Sequence, residues 1–311
     1  MPNPDHFAII LRVGEAVRGP SRTAVLTAAA RALHREEPQP WVIDDYLAFG
    51  LAGPEGPALL GRLRAEVPRP YLLAFSRWVC VRARFPEDVV AHAAAGDVGQ
   101  YVILGAGLDS FAYRRNDLLD RLRVFEVDHP ATQEWKRQRL GELGVEPPAG
   151  LVFVPVDFER QTLRQGLERA GFSFAQPAVF SWIGVTMYLT LDAIRATLAT
   201  VAQCLAGTRI VLTYNQPPAA LTNNDAQITA TFAGLAAKMG EPFISRFLPA
   251  EMAQLLRRHG FGEITDFGPD EARAAYFAGR PDVEIAGAQR LIAATVPPAC
   301  PPGEASVSRP A

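Results

Sequence analysis

Cysteine is scarce in this chain: Cys80, Cys204 and Cys300 are its three examples. They are scattered, show no metal-ligand spacing, and are odd in number, which excludes a disulfide framework and points to a reducing, cytoplasmic setting. The five histidines (His6, His34, His92, His129 and His259) form no ligand pattern, so no metal site is expected. No apolar run approaches the ~20 residues of a membrane span. The opening MPNPDHFAIILRVGEAV carries an apolar patch without a basic leader or small-residue cleavage site, and is read as no signal peptide. A net charge of −2 supplies no basic face for nucleic acid. What remains is an ordinary soluble composition over 311 residues, 49% hydrophobic and 21% charged. It suits one large domain, or a domain with a lid, and a small-molecule partner. Oligomeric state is left open.

The pattern along the chain predicts an α/β fold. Residues 21–36 read as an Ala-rich helix with Ser21 as N-cap. Residues 41–70 read as short helices and turns broken by Pro54, Pro57, Pro68 and Pro70, and residues 71–95 as helical again. Apolar strands are then predicted at 101–104, 123–127, 151–156, 178–181 and 209–214, alternating with helices. A mostly helical stretch at 216–248 interrupts the rhythm as a lid or substrate insert. A helix at 249–259 ends at Gly260, and strands at 262–267 and 289–296 follow. The expected organisation is an N-terminal helical cap (1–95), a doubly wound, mostly parallel seven-stranded sheet (96–296) with its insert, and a disordered Pro-rich tail (297–311).

Leu104-Gly105-Ala106-Gly107-Leu108-Asp109 is the most informative stretch. An apolar strand that runs into Gly-x-Gly makes a turn where backbone meets ligand directly, since glycine has no Cβ. The next strand ends in Asp128, about 20 residues on, the spacing at which a carboxylate meets a ribose diol. A dinucleotide fingerprint needs a third glycine, and Ser110 stands there instead. No Gly-Lys-Ser/Thr follows, which excludes a P-loop. A ribose-bearing cofactor without phosphate fits better, and S-adenosylmethionine is the common one.

With these pieces placed, the chain resembles the leucine carboxyl methyltransferase type of class I S-adenosylmethionine-dependent methyltransferases, and especially their bacterial small-molecule members. The likeness runs over about residues 21–296. It is carried by Arg82-Ala83-Arg84-Phe85, by Leu104–Asp109, by Phe125-Glu126-Val127-Asp128-His129-Pro130 and by Pro155-Val156-Asp157-Phe158. It continues through Ser181-Trp182-Ile183-Gly184-Val185-Thr186-Met187-Tyr188-Leu189 and Tyr276-Phe277-Ala278-Gly279-Arg280. The resemblance implies that Arg82 pairs with the methionyl carboxylate and that Gly105, Ala106 and Gly107 form the turn beneath the cofactor. It implies that Asp128 accepts from the ribose, Asp157 from the adenine amino group, and that Phe158 lies beside the ring. Arg31 is a further candidate for the carboxylate. Ile183 departs from the glutamate of eukaryotic members, so the ammonium group is left to carbonyls such as those of Gly105 or Ser181.

Each residue also has a plainer reading. Asp128 and Asp157 can serve as helix N-caps, and Arg82 and Arg84 can lie on a solvated helix face. Glu126, inside an apolar strand, needs a buried cation or a sheet edge. Tyr188 and Trp182 are core or substrate contacts. Tyr276 and Arg280 close the C-terminal lobe, or Arg280 clamps a substrate carboxylate. Tyr214 and Asn215 end the fifth strand at the sheet edge where substrate sits. Methyl transfer from a sulfonium needs alignment more than a base when the acceptor is an anion. The leading expectation is therefore O-methyl transfer to a carboxylate or phenolic oxygen of a small, secondary-type metabolite. Two others stay open: a cofactor-binding protein of this fold with a binding or pericyclic role, and an NAD(P)-dependent oxidoreductase.

Overall fold

The computed structural model describes residues 21–158, 160–280 and 282–298. The expectation of a disordered tail falls mostly outside them, as do the first 20 residues of the expected cap.

Four helices come first: α1 (Arg22–His34), α2 (Ala48–Leu51), α3 (Glu55–Glu66) and α4 (Arg69–Ala94). Ser21 caps α1, its Oγ accepting from the Ala24 N–H at 3.3 Å. The prolines break less than their number suggests. Pro57 and Pro70 lie in the first turns of α3 and α4, where no intrahelical N–H is lost. α4 also carries Pro86 in its interior. The small residues Ala28, Ala29 and Ala30 are buried and let α1 pack against α2, α3 and α4.

The strands are β1 (Gln100–Leu104), β2 (Arg123–Asp128), β3 (Leu151–Pro155), β4 (Ala178–Trp182), β5 (Arg209–Asn215), β6 (Gly262–Phe267) and β7 (Gln289–Thr295). They form one sheet in the order β3-β2-β1-β4-β5-β7-β6. All pairs are parallel except those of β7, which runs antiparallel to both β5 and β6. Between strands lie α5 (Phe111–Arg114), α6 (Asn116–Leu119), α7 (Pro130–Glu142), α8 (Leu163–Arg169), α9 (Leu191–Val201), α10 (Asn223–Lys238), α11 (Pro249–Arg258) and α12 (Pro269–Tyr276). α9 ends at Val201, where the chain turns.

The central strands β1 and β4 are buried on both faces, which is why they read as apolar runs. Tyr101 and Ile103 face a core shared with α1 and α4, whereas Val102 and Leu104 face the core built with α8, α9 and α11. From β1 the chain winds outward to β3, then returns to place β4 on the other side of β1. That reversal opens a crevice at the carboxyl ends of β1 and β4, where doubly wound sheets bind ligands. No helix among the described residues is long and apolar enough to cross a membrane.

Candidate cofactor and substrate site

The crevice deepens into a cavity of about 630 Å³, within the range of small-molecule sites. Its floor is the turn after β1. Gly105 and Gly107 adopt φ of +66° and +51°, the left-handed region that suits glycine. A Cβ on Gly105 would stand 2.5 Å from Val185 Cγ2. The Gly105 and Ala106 N–H groups both donate to Val127 O, at 2.8 and 3.1 Å. Asp128 completes the fastening. Its Oδ2 accepts from the Gly107 N–H and its Oδ1 from the His129 N–H, each at 2.6 Å. Burial lifts its pKa above the ordinary carboxylate value, with the two N–H donors pulling the other way. Asp157, paired with Arg160 Nε at 3.3 Å, lines the cavity, as do Phe158 and Ser181. Ser181 Oγ accepts from Tyr101 OH at 2.9 Å.

Arg82 enters from α4. It is 9% exposed and lines the cavity, yet no carboxylate pairs with it among the described residues. Its Nη1 donates to Gln289 Oε1 at 2.7 Å. Burial pushes its pKa down to about 10. Gly184, at φ +75°, lies against the guanidinium, and a Cβ there would sit 3.2 Å from Nη2. Arg84, two residues on, pairs with Asp88 at 2.6 Å and does not reach the cavity. Arg31 lines it but is held: Nε pairs with Asp45 at 2.6 Å and Nη2 donates to Leu108 O at 2.7 Å, bracing the glycine turn.

The other half of the cavity is apolar and aromatic. Phe232 of α10 stacks on Phe75 of α4 with centroids 3.8 Å apart, and Tyr188 meets Phe243 edge-on at 5.5 Å. Burial pushes the Tyr188 hydroxyl up to about 12. Phe232, Met239 and Phe243 of the insert line the cavity, while Leu221 and Leu235 do not. Glu241 ties the insert to the start of α1. Its carboxylate accepts from Ser21 Oγ, from the Arg22 N–H at 3.1 Å and from Thr23 Oγ1.

Three candidate substrate residues, Tyr214, Tyr276 and Arg280, do not line the cavity. Tyr214 turns to the opposite face of the sheet and donates to Asp266 Oδ1 at 2.5 Å, because side chains alternate along a strand; Asn215 faces the cavity in its place. The Tyr276 hydroxyl donates to Asp88 Oδ2 at 2.8 Å, and Arg280 reaches Pro38 O at 3.4 Å, both off the cavity. Glu126 finds a buried cation, Lys136 Nζ at 2.6 Å. Trp78, Gln289 and Glu241 gave no sequence signal, since partners remote along the chain bring them to the site.

The sequence model of the leucine carboxyl methyltransferase family matches residues 24–202. The chain belongs to this family. The match spans α1 through α9 and takes in Arg82, the glycine turn, Asp128, Asp157 and Ser181; β5, the insert and β7 lie beyond it. A Bacillus subtilis protein, YktD, provisionally described as an S-adenosyl-L-methionine-dependent methyltransferase, is 29% identical over 288 residues, covering 84% of this chain and 93% of its own. A similarly described Mycobacterium avium protein is 39% identical over 209 residues, 67% of this chain and 66% of its own. Among solved structures, a DUF574 family protein from Streptomyces avermitilis shares the fold with a TM-score of 0.58 at 16% identity, covering 95% of this chain and all of that one.

Proposed function

We propose that this protein is an S-adenosyl-L-methionine-dependent methyltransferase that acts on an ionised oxygen, a carboxylate or an acidic phenol, of a mostly apolar small molecule. Arg82 carries this reading. A guanidinium buried without an acidic partner is costly, and an incoming carboxylate relieves that cost with a bidentate fit. The methionyl end of the cofactor brings such a carboxylate. The residues present fit the rest of it. A side chain on Gly105 would crowd the turn, and Asp128 and Asp157 stand at the ends of β2 and β3, where ribose and adenine would lie. Phe158 offers a ring face, and Arg31 holds the turn from below. With Ile183 at the cavity wall, the ammonium group is left to the carbonyls of Gly105 or Ser181.

When bound, the cofactor supplies an electrophilic methyl group. The chain aligns the acceptor oxygen with that carbon and keeps water out. Three cavity-lining groups that could remove a proton, His129, Tyr188 and Glu241, are badly placed for it. His129, the one histidine there, receives the Ala131 N–H at 3.2 Å and stands beside Asp128. Tyr188 is pushed up to about 12, and Glu241 is spent on α1. An acceptor that arrives ionised needs none of them.

Titration with S-adenosylmethionine, S-adenosylhomocysteine and NAD tests the cofactor; tighter binding of NAD would overturn the assignment. Rates measured against pH test the acceptor. They should rise along the acceptor's own pKa and then level, whereas one apparent pKa shared by acceptors of different acidity would reveal an enzyme base.

A further inference from the structure

Three side chains behind Arg82 form a hydrogen-bond relay whose direction is fixed by chemistry. Trp78 Nε1–H donates to Gln289 Oε1 at 3.1 Å, and Arg82 Nη1 donates to the same oxygen at 2.7 Å. Neither indole nor guanidinium offers an acceptor, so the oxygen of the Gln289 amide must face them. Its nitrogen then faces Asn215, and Nε2 donates to Asn215 Oδ1 at 3.0 Å. The Asn215 amide nitrogen is left pointing away from the relay. Asn215 is 4% exposed and lines the cavity, and its Nδ2 donates to no partner among the described residues. Asn215 and Gln289 are direct cross-strand partners in the β5–β7 pair, so the sheet itself holds the relay in register.

Two features place Asn215 on the acceptor side. β4 separates β5 from β1, which sets Asn215 about 10 Å from the glycine turn at ordinary strand spacing. The insert with its apolar wall begins at the next residue, and Phe247 near its end donates its N–H to Asn215 O at 2.9 Å.

We propose that Asn215 recognises the acceptor: one oxygen of an acceptor carboxylate accepts from Asn215 Nδ2–H while the other attacks. The proposal rests on the methyl-transfer reading above. The attacking oxygen forms a bond to the methyl carbon, the carbon–sulfur bond breaks, and its electron pair stays on sulfur. The carboxylate and sulfonium charges cancel, and no proton moves. A neutral amide suits this task, because a cation at the same place would hold the oxygen more strongly and blunt its attack. Gln289 acts as a positioning residue: it sets which end of the Asn215 amide faces the ligand.

The test uses the full chain saturated with S-adenosylhomocysteine, so that Arg82 is engaged, and titrates it with cinnamate and with cinnamyl alcohol. The wild type should bind cinnamate more tightly than the alcohol. Asn215→Ala should weaken cinnamate about tenfold, the scale of one hydrogen bond to a charged group, and leave S-adenosylhomocysteine and the alcohol within about twofold. Asn215→Asp keeps the oxygen that receives Gln289 Nε2 and turns a second oxygen to the cavity, so the preference should reverse toward the alcohol. Gln289→Leu should reduce the acid-over-alcohol ratio with the Asn215 side chain intact. Circular dichroism of each variant guards against misfolding. A wild type without preference for cinnamate, or an Asn215→Ala variant that binds it unchanged, overturns the proposal. So does a parallel loss of S-adenosylhomocysteine, which would assign the amide to the cofactor. Failure of the wild type to bind S-adenosylhomocysteine would instead sink the methyl-transfer reading, and the proposal with it.

Discussion

Arg82→Met should leave the ligand-free protein nearly as stable as the wild type while crippling cofactor binding. The magnitudes follow from the arginine's surroundings. Burial holds its pKa at about 10 against an ordinary 12.5, which disfavours the charged folded state by about 3 kcal/mol at neutral pH. Against this stands the hydrogen bond to Gln289 Oε1, a charged-donor bond of about 1.5–3 kcal/mol. Methionine removes both at similar length, and Trp78 still satisfies the glutamine oxygen. The two effects nearly cancel, so the apparent melting temperature should move by only a few degrees. Cofactor binding loses a buried charge pair, about 3–5 kcal/mol, or at least about a hundredfold in affinity. Thermal unfolding of the apo protein and calorimetric titration with S-adenosylhomocysteine read the two quantities separately. Titration with decarboxylated S-adenosylmethionine supplies the control, because its binding should hardly change. The reasoning fails if the apo protein loses more than about 3 kcal/mol while S-adenosylhomocysteine binds as before. It fails equally if both ligands suffer the same loss.

Gly105→Ala should cost about 1–2 kcal/mol for its left-handed backbone and more for the approach to Val185; adding Val185→Ala should recover the steric part alone, as denaturant titration of the single and double variants would show. Asp128→Ala should weaken S-adenosylhomocysteine by about 1.5–3 kcal/mol and also lower apo stability, because both carboxylate oxygens hold backbone N–H groups; unaltered unfolding would contradict that fastening role. Burial lifts Glu126 to about 7 from an ordinary 4.5 despite the nearby Lys136. The fold prefers its protonated form, so the stability from this site is full below pH 4.5 and is lost as pH rises through about 7. Wild-type stability relative to Glu126→Gln should fall as pH rises over that window, and a pH-independent difference in denaturant unfolding would refute it.

The fold was legible where local chemistry and global burial agree. Tyr101–Leu104 reads as a strand because both of its faces are covered, and Ser21 reads as a cap because its hydroxyl meets a free helix N–H. The antiparallel insertion of β7 between β5 and β6 leaves no such mark, since residues 289–295 carry no sign of which strand they will join. Pro86 does not interrupt the helix read over residues 71–95: buried neighbours on both sides of it hold α4 continuous.

The site divides along the same line. The glycine turn and the end of β2 are short-range features, visible as spacing, and for Asp128 the capping and ligand roles are not exclusive. A carboxylate oxygen accepts more than one hydrogen bond, so Asp128 can fasten Gly107 and His129 and still meet a ribose hydroxyl. At the end of β5 the sequence points to Tyr214 and Asn215 together but not to which of the two faces the cavity. Tyr214 is the more conspicuous residue, yet the pleat alternates, and the phase of β5 is set by which residues its neighbours bury. Tyr214 therefore meets Asp266 behind the sheet, and Asn215 receives the cavity. The partner that orients Asn215 lies 74 positions away, and the indole that orients that partner lies 211 positions from it. No local pattern encodes such distances. The polarity of one amide, donor rather than acceptor toward the ligand, exists only once helix α4 and strands β5 and β7 have met.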